Sequence, residues 1–197
     1  MTCSNTNHPN QSAQNQSSQN TPPLTRTIRP SIRPWLFEVK PYPDESFSHF
    51  LGRFRRANCL SGSHLSSMLG ERSHIVTYWE SPSRQRRPKR VQPQQLSQMS
   101  GVAIARLQQM WSSADTRLHW PTRLCPDCYA HKPWHRLSWQ QAEHPQCDQH
   151  PRSLLSCCPR CQHPLRLPSQ WAIGECDRCQ LPFSQMAPFE VRDSAIE

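Results

Sequence analysis

Glycine is scarce in this chain. Only Gly52, Gly62, Gly70, Gly101 and Gly174 occur, too few and too scattered for a phosphate-cradling loop. No Walker A loop, HExxH helix or nucleophile elbow is present. Lysine is scarcer still, at Lys40, Lys89 and Lys132, so arginine carries the positive charge. Acidic residues number 14 against 23 Lys and Arg, for a net charge of +9. No apolar run approaches about eighteen residues, so no transmembrane helix is expected. The polar N-terminus lacks an apolar signal region, which points to a cytoplasmic rather than a secreted protein. Hydrophobic residues make up 35% of the chain and prolines number 20. One generous core is therefore not expected; two small modules that need staples are.

What is abundant is arginine and cysteine. The arginine fork donates two parallel hydrogen bonds and suits phosphate or carboxylate, so a basic chain points to nucleic acid or an acidic protein surface. The ten cysteines, in a chain without secretion signals, favour metal over disulfides.

Residues 1–33 are rich in Gln, Asn, Ser, Thr and Pro and are expected to be a disordered tail. Cys3 in this tail reads as a free thiol. The segment PWLFEVKPYP reads as an extended stretch laid on the first domain, with Trp35 and Phe37 as packing residues. Asp44 is the expected N-cap of a helix over 45–58, whose stripe of Phe47, Phe50, Leu51 and Phe54 follows the i, i+3, i+4, i+7 rule. Arg53, Arg55 and Arg56 fall off that stripe. A second helix over 63–69 turns Leu65, Met68 and Leu69 inward, and Gly70 stops it. Arg84, Arg86, Arg87, Lys89 and Arg90 lie in a proline-punctuated basic loop suited to phosphate contacts, with a solvated linker as the bland alternative. Next, Leu96 and Met99 close a helix, Gly101 turns, and Ile104, Leu107 and Met110 face inward on the next. Helix, glycine turn, helix is a helix-turn-helix signature. Ala103, Ala105 and Arg106 near the second helix start offer little for reading bases, so a compact helical domain that docks a protein is equally consistent.

The C-terminal cysteines come in x2 pairs: CPDC at Cys125 and Cys128, CDQH at Cys147 and His150, CPRC at Cys158 and Cys161, CDRC at Cys176 and Cys179. A two-residue gap lets both side chains of a knuckle turn to one ion, and two knuckles complete a tetrahedron. Sequential allocation gives one site of Cys125, Cys128, Cys147 and His150, and a second of Cys158, Cys161, Cys176 and Cys179. Cys157 is left over, because using it would break the x2 gap to Cys161. His131, His135, His144 and His163 read as non-ligands, the first three as surface or helix residues. Both sets look full, so the two zinc ions are expected to be structural. Seven thiolates against two dications would lower the net charge of +9 by three, and the chain stays basic. Structural zinc contributes on the order of 10–16 kcal/mol of apparent binding energy per site, against about 5–15 kcal/mol of total stability for an ordinary domain. Metal is therefore expected to decide whether residues 121–185 fold. Trp134, Leu137 and Trp139 are expected to pack a short helix over the first ion, with Trp120 and Trp171 nearby.

The blocks RPWLFEVKPYPDESFSHFLGRFRRANCLS, RLCPDCYAHKPWHRLSWQ, CDQH, LLSCCPRCQHPL and CDRCQLPF together resemble the TniQ family of bacterial transposon targeting proteins, over about residues 33–187. The short length resembles the compact form found in type V-K CRISPR-associated transposons. The resemblance implies a non-enzymatic adaptor in RNA-guided DNA insertion. It would sit at the end of a filament of the AAA+ ATPase TnsC on target DNA and touch the guide RNA of an inactive CRISPR effector, while the TnsB transposase performs strand transfer. It also implies that all eight zinc ligands carry over, that Trp35 and, more weakly, Phe37 dock onto TnsC, and that the Arg84–Arg90 loop meets an RNA or DNA backbone. The long Gln/Asn tail departs from the compact pattern.

The expected architecture is small, mixed and mainly α. A tail over 1–33 precedes a helix-turn-helix domain over 34–120, zinc-ribbon-like fingers over 121–155 and 156–190, and a tail over 191–197. The alternative function is an autonomous zinc-finger and helix-turn-helix DNA-binding regulator.

Overall fold

In the computed structural model, residues 37–71, 74–81, 93–113 and 115–188 are described, and all fall in one compact unit. The tail over 1–33, Trp35, the loop Arg84–Arg90 and residues 191–197 lie outside the described residues.

Helix α1 (Phe47–Ala57) forms because its apolar residues recur on one stripe; Phe47, Phe50, Leu51 and Phe54 are all buried. Burial of each contributes about 1.5–3 kcal/mol. The N-cap is Ser46, whose hydroxyl accepts from the His49 N–H, not the expected Asp44. Asp44 has a φ of 54° and its carbonyl accepts from the Leu137 N–H, so the chain is still turning there. Helix α2 (Gly62–Met68) is capped by Ser61 and ends before Gly70, which takes the left-handed φ of 65° expected of a stop. Leu65 and Leu69 are buried, but Met68 is 41% exposed, contrary to expectation. The inward face of α2 runs through Ser66 instead, whose hydroxyl accepts from the Val76 N–H. Helix α3 (Ile75–Glu80) buries Val76 and Trp79 against α1. Helices α4 (Pro93–Ser100) and α5 (Ile104–Gln109) flank Gly101, whose φ is 71°. Leu96, Met99, Leu107 and Met110 complete this first core, and Ile104 is half-buried.

Among its described residues, the second half has one further α-helix, α6 (Pro126–His131), and three single 3-10 turns. No strand forms among the described residues; isolated antiparallel bridges pair Leu124 with Leu155, Gln146 with Ser153, Cys157 with Pro164 and Glu175 with Pro182. Leu124, Tyr129, Trp139, Trp171, Leu181, Phe183 and Met186 make a second core around the cysteines. Mainly helical, without a sheet, and ending in two cysteine-rich modules, the architecture is the one expected.

The halves share an interface. Glu45 bridges to Arg136, the Ser46 N–H donates to the His135 carbonyl at 2.9 Å, and Trp134 stacks on Tyr42 at 4.5 Å while its indole N–H donates to the Pro43 carbonyl. Gly52 of α1 lies directly on the Ser169 backbone of the 3-10 turn Pro168–Gln170, and the Arg56 guanidinium donates to the Ser169 carbonyl. At the same seam Glu45, 1% exposed, accepts from Arg53 Nε at 2.9 Å and from the Tyr42 N–H at 2.8 Å, and pairs with His49 Nδ1. Burial alone would raise the Glu45 carboxyl, but the hydrogen bonds with His49 and Arg53 outweigh it and hold the group below the ordinary range.

Candidate metal centres

The first centre is assembled by pairing across a bridge. Leu124 and Leu155 exchange backbone hydrogen bonds at 2.8 and 2.9 Å, which lays the segment after Gln146 beside the start of α6. Cys125 is the N-cap residue of α6, Pro126 presets its first turn, and Cys128 follows inside it. Opposite, the Cys147 N–H donates to the Arg152 carbonyl, folding Cys147–His150 into a tight loop at the Gln146–Ser153 bridge. An ion pair of Arg152 with Asp127 at 2.7 Å ties that loop to the first turn of α6. His150 Nδ1 then lies 3.6 Å from Cys125 Sγ, 3.2 Å from Cys128 Sγ and 3.6 Å from Cys147 Sγ, with Cys128 and Cys147 3.4 Å apart.

The second centre is built from two copies of one knuckle. CPRCQHPL and CDRCQLPF repeat the pattern C-x-R-C-Q-x-P-apolar. Cys158 N–H donates to the His163 carbonyl and Cys176 N–H to the Leu181 carbonyl, at 2.8 and 2.9 Å. Gln162 and Gln180 turn through left-handed φ values of 58° and 57° and each donates back to the first cysteine of its knuckle. The apolar residues ending each copy, Leu165 and Phe183, enter the second core. Across the centre Cys158 and Cys179 are 3.5 Å apart, and Cys161 and Cys176 3.6 Å. In this repeat Cys157 occupies the bridge position of Glu175, so its thiol meets Gln162 Oε1 rather than the cluster.

In each set the four ligand atoms lie within 4.8 Å of one another, so each could hold a metal ion. Sulfurs at about 2.3 Å from a tetrahedral zinc ion would be roughly 3.8 Å apart, close to the spacings seen. They are far from the roughly 2.05 Å of a disulfide, and all eight ligand positions are occupied by free thiols or imidazole. Three sulfurs with one imidazole, and four sulfurs, are donor sets suited to zinc. The thiols need a cation to ionise together. Burial, then the neighbouring Cys147, pushes Cys128 up, and burial with the facing Cys179 and Cys176 raises Cys158 to about 12. Cys179 is the exception, drawn down to about 7 chiefly by the Leu181 backbone N–H. Four protein donors fill a tetrahedral shell and leave no position for a reactive water.

Other expected site residues fall outside these centres. His163 pairs with Asp177 at 3.4 Å, alongside Arg166 at 2.8 Å. His135 is no ligand, but neither is it a surface or helix residue: it is fully buried, with Nδ1 on Ser46 Oγ at 2.8 Å and its ring against Trp139 and Trp171. Burial holds its imidazole well below the usual histidine range. Trp139 and Trp171 are core residues as expected, whereas Trp120 is 61% exposed. Phe37 is 60% exposed, which removes the packing reading for it. The helical-half residues Glu45, His49 and Gly52, which seat the metal half, were not anticipated. Their only sequence signal is the E-x3-H-x3-R-like spacing of Glu45, His49 and Arg53.

A family model described as TniQ matches residues 36–154, more than half of the chain, taking in the helical half and the first metal centre but not the second. No curated protein matches the chain. No helix among the described residues is long and apolar enough to cross a membrane.

Proposed function

The chain belongs to the TniQ family, targeting components of Tn7-like transposition, and we propose that it is a non-catalytic adaptor of an RNA-guided insertion system of the type V-K kind. In this reading it joins the AAA+ ATPase TnsC, assembled on target DNA, to the guide RNA and its CRISPR effector, so that the TnsB transposase is recruited. The match over residues 36–154 carries the reading. The metal centres suit it, because two saturated sets, Cys125, Cys128, Cys147 and His150 with Cys158, Cys161, Cys176 and Cys179, would hold structural zinc and stiffen docking faces without offering an open site. Phe37, exposed beside the first core, remains a docking candidate together with Trp35. Arg84, Arg86, Arg87, Lys89 and Arg90 are the candidate backbone contacts.

The test is association of the zinc-loaded chain with TnsC on DNA and ATP, with and without the guide-RNA-loaded effector. A stable complex that the effector strengthens is expected; binding no better than background rejects the adaptor.

A second reading rests on the α4–Gly101–α5 pair, an autonomous sequence-specific DNA-binding regulator. It requires nanomolar binding of the chain alone to one defined duplex site. A flat affinity across sequences with a steep salt slope rejects it.

A further inference from the structure

Arginine 136 is anomalous. It is 8% exposed, its Nε is buried without a hydrogen-bond partner, and no ion pair to it forms among the described residues. A largely buried guanidinium whose Nε has no acceptor is a place where an acceptor brought in by a ligand would be favourable. Its Cζ lies 5.9 Å from the Trp139 ring, and it lines a cleft of about 530 Å³ between α5 and the loop of the first metal centre. Asp44, Asp148, Gln109 and Gln141 line the same cleft. Arg106 does too, but its guanidinium is already committed to the Tyr42 carbonyl.

The lining selects its ligand. A carboxylate-bearing peptide would satisfy Arg136 but would face two aspartates. A ligand that presents two acceptors on one edge and donors on another satisfies both. Guanine does this: its O6 and N7 accept from an arginine fork, and its N1 and N2 donate to a carboxylate. Unstacked bases of single strands expose both edges at once. We propose that this cleft binds a single unstacked guanine of a single-stranded nucleic acid, with Arg136 on the O6/N7 edge and Asp44 on the N1/N2 edge, since the Asp148 carboxylate already pairs with His144 at 3.5 Å. The amides of Gln109 and Gln141 supply further base-edge contacts. This rests on the nucleic-acid arm of the adaptor reading, and it assigns base selectivity to a place outside the Arg84–Arg90 loop.

The experiment uses the full zinc-loaded chain and fluorescent ten-nucleotide uridine or thymidine oligomers carrying one central G, A or C. Fluorescence anisotropy should show about tenfold tighter binding of the G oligomer. The RNA and DNA series show which strand is the source. Arg136→Met should abolish the preference, leaving the residual affinity shared by all oligomers. Asp44→Asn keeps a residue that tolerates the left-handed backbone, and should cut the preference at least threefold with zinc content unchanged. Equal binding of G, A and C oligomers by the parent chain overturns the proposal. So does an unchanged preference in Asp44→Asn, or an Arg136→Met chain that loses zinc but keeps the preference, which would make Arg136 a counter-charge for the metal centre. Displacement of the G oligomer by a polyglutamate peptide as effectively as by guanosine monophosphate also overturns it. TnsC association is measured on the same preparations, so failure of the adaptor and failure of the cleft are read separately.

Discussion

The substitution Gly52→Ala tests how the two halves are joined. On an exposed helix, alanine in place of glycine stabilises by about 1 kcal/mol. At Gly52 the added Cβ would stand 2.5 Å from Ser169 Cα and 2.7 Å from its carbonyl carbon. Ordinary carbon contacts are roughly 3.5–4.0 Å, so α1 and the turn Pro168–Gln170 must separate by about 1 Å. Both sides of the clash are backbone, so no rotamer change relieves it. Overpacking of this kind costs about 1–3 kcal/mol. Separation also stretches the hydrogen bond from Arg56 to the Ser169 carbonyl, a charged bond worth about 1.5–3 kcal/mol. Against the helix-propensity gain the net expectation is a loss of about 1–3 kcal/mol. For a unit of this size that lowers the melting temperature by roughly 3–10 °C. The assay is thermal unfolding in excess zinc, with Gly62→Ala beside it. A Cβ at Gly62 meets Val76 Cγ1 at an ordinary 3.6 Å, so that variant should melt within about 3 °C of the parent or above it. A Gly52→Ala chain that is as stable as the parent, or more so, would refute a close-packed seam between α1 and the metal half.

Cys128→Ser should lower the zinc content to one per chain and abolish recruitment to TnsC, whereas Cys157→Ser should keep two and bind normally; equal losses would mean that the ligand sets are misallocated. In zinc-saturated protein, stability should fall as pH drops below about 6.5, by up to about 1.4 kcal/mol per unit, because the unfolded chain protonates His135 while the buried imidazole resists. A His135→Gln chain should show a shallower slope through that window in urea titrations, and an identical slope would contradict the assignment. Gln180→Gly should leave stability unchanged or raise it by up to about 1 kcal/mol, and Gln180→Val should lower it by about 1 kcal/mol or more, since a β-branched residue resists the left-handed φ of 57°. Chemical denaturation of the two variants checks the sign.

The residues that sequence alone brings out well are those whose chemistry is local. The x2 spacing of the cysteines is a property of one turn, so it selects the eight side chains that the fold brings together and leaves Cys157 outside them. The α1 stripe is likewise a matter of helical period. What sequence could not supply depends on the other half of the molecule. Asp44 is a good cap by type, but its carbonyl is taken by Leu137, and the cap lies two residues later at Ser46. Helix α3 has no side-chain cap and only six residues; it persists because Val76 and Trp79 pack on α1 and Glu80 pairs with Arg55. His135 looks like a surface residue beside Lys132 and Trp134, and it is buried because Ser46 and Trp171 converge on it from distant parts of the chain. Met68, expected inward from the helical period, and Trp120, expected to pack near the first ion, are both exposed.

The most direct test of two saturated centres is zinc X-ray absorption on the purified full chain, paired with elemental analysis. Two zinc ions per chain are expected. Averaged over both, the coordination shell should hold about 3.5 sulfurs near 2.3 Å and about 0.5 nitrogens near 2.0 Å, with no oxygen. Fewer than two zinc ions, or an average of three or fewer sulfurs with an oxygen in the shell, would contradict saturation of both.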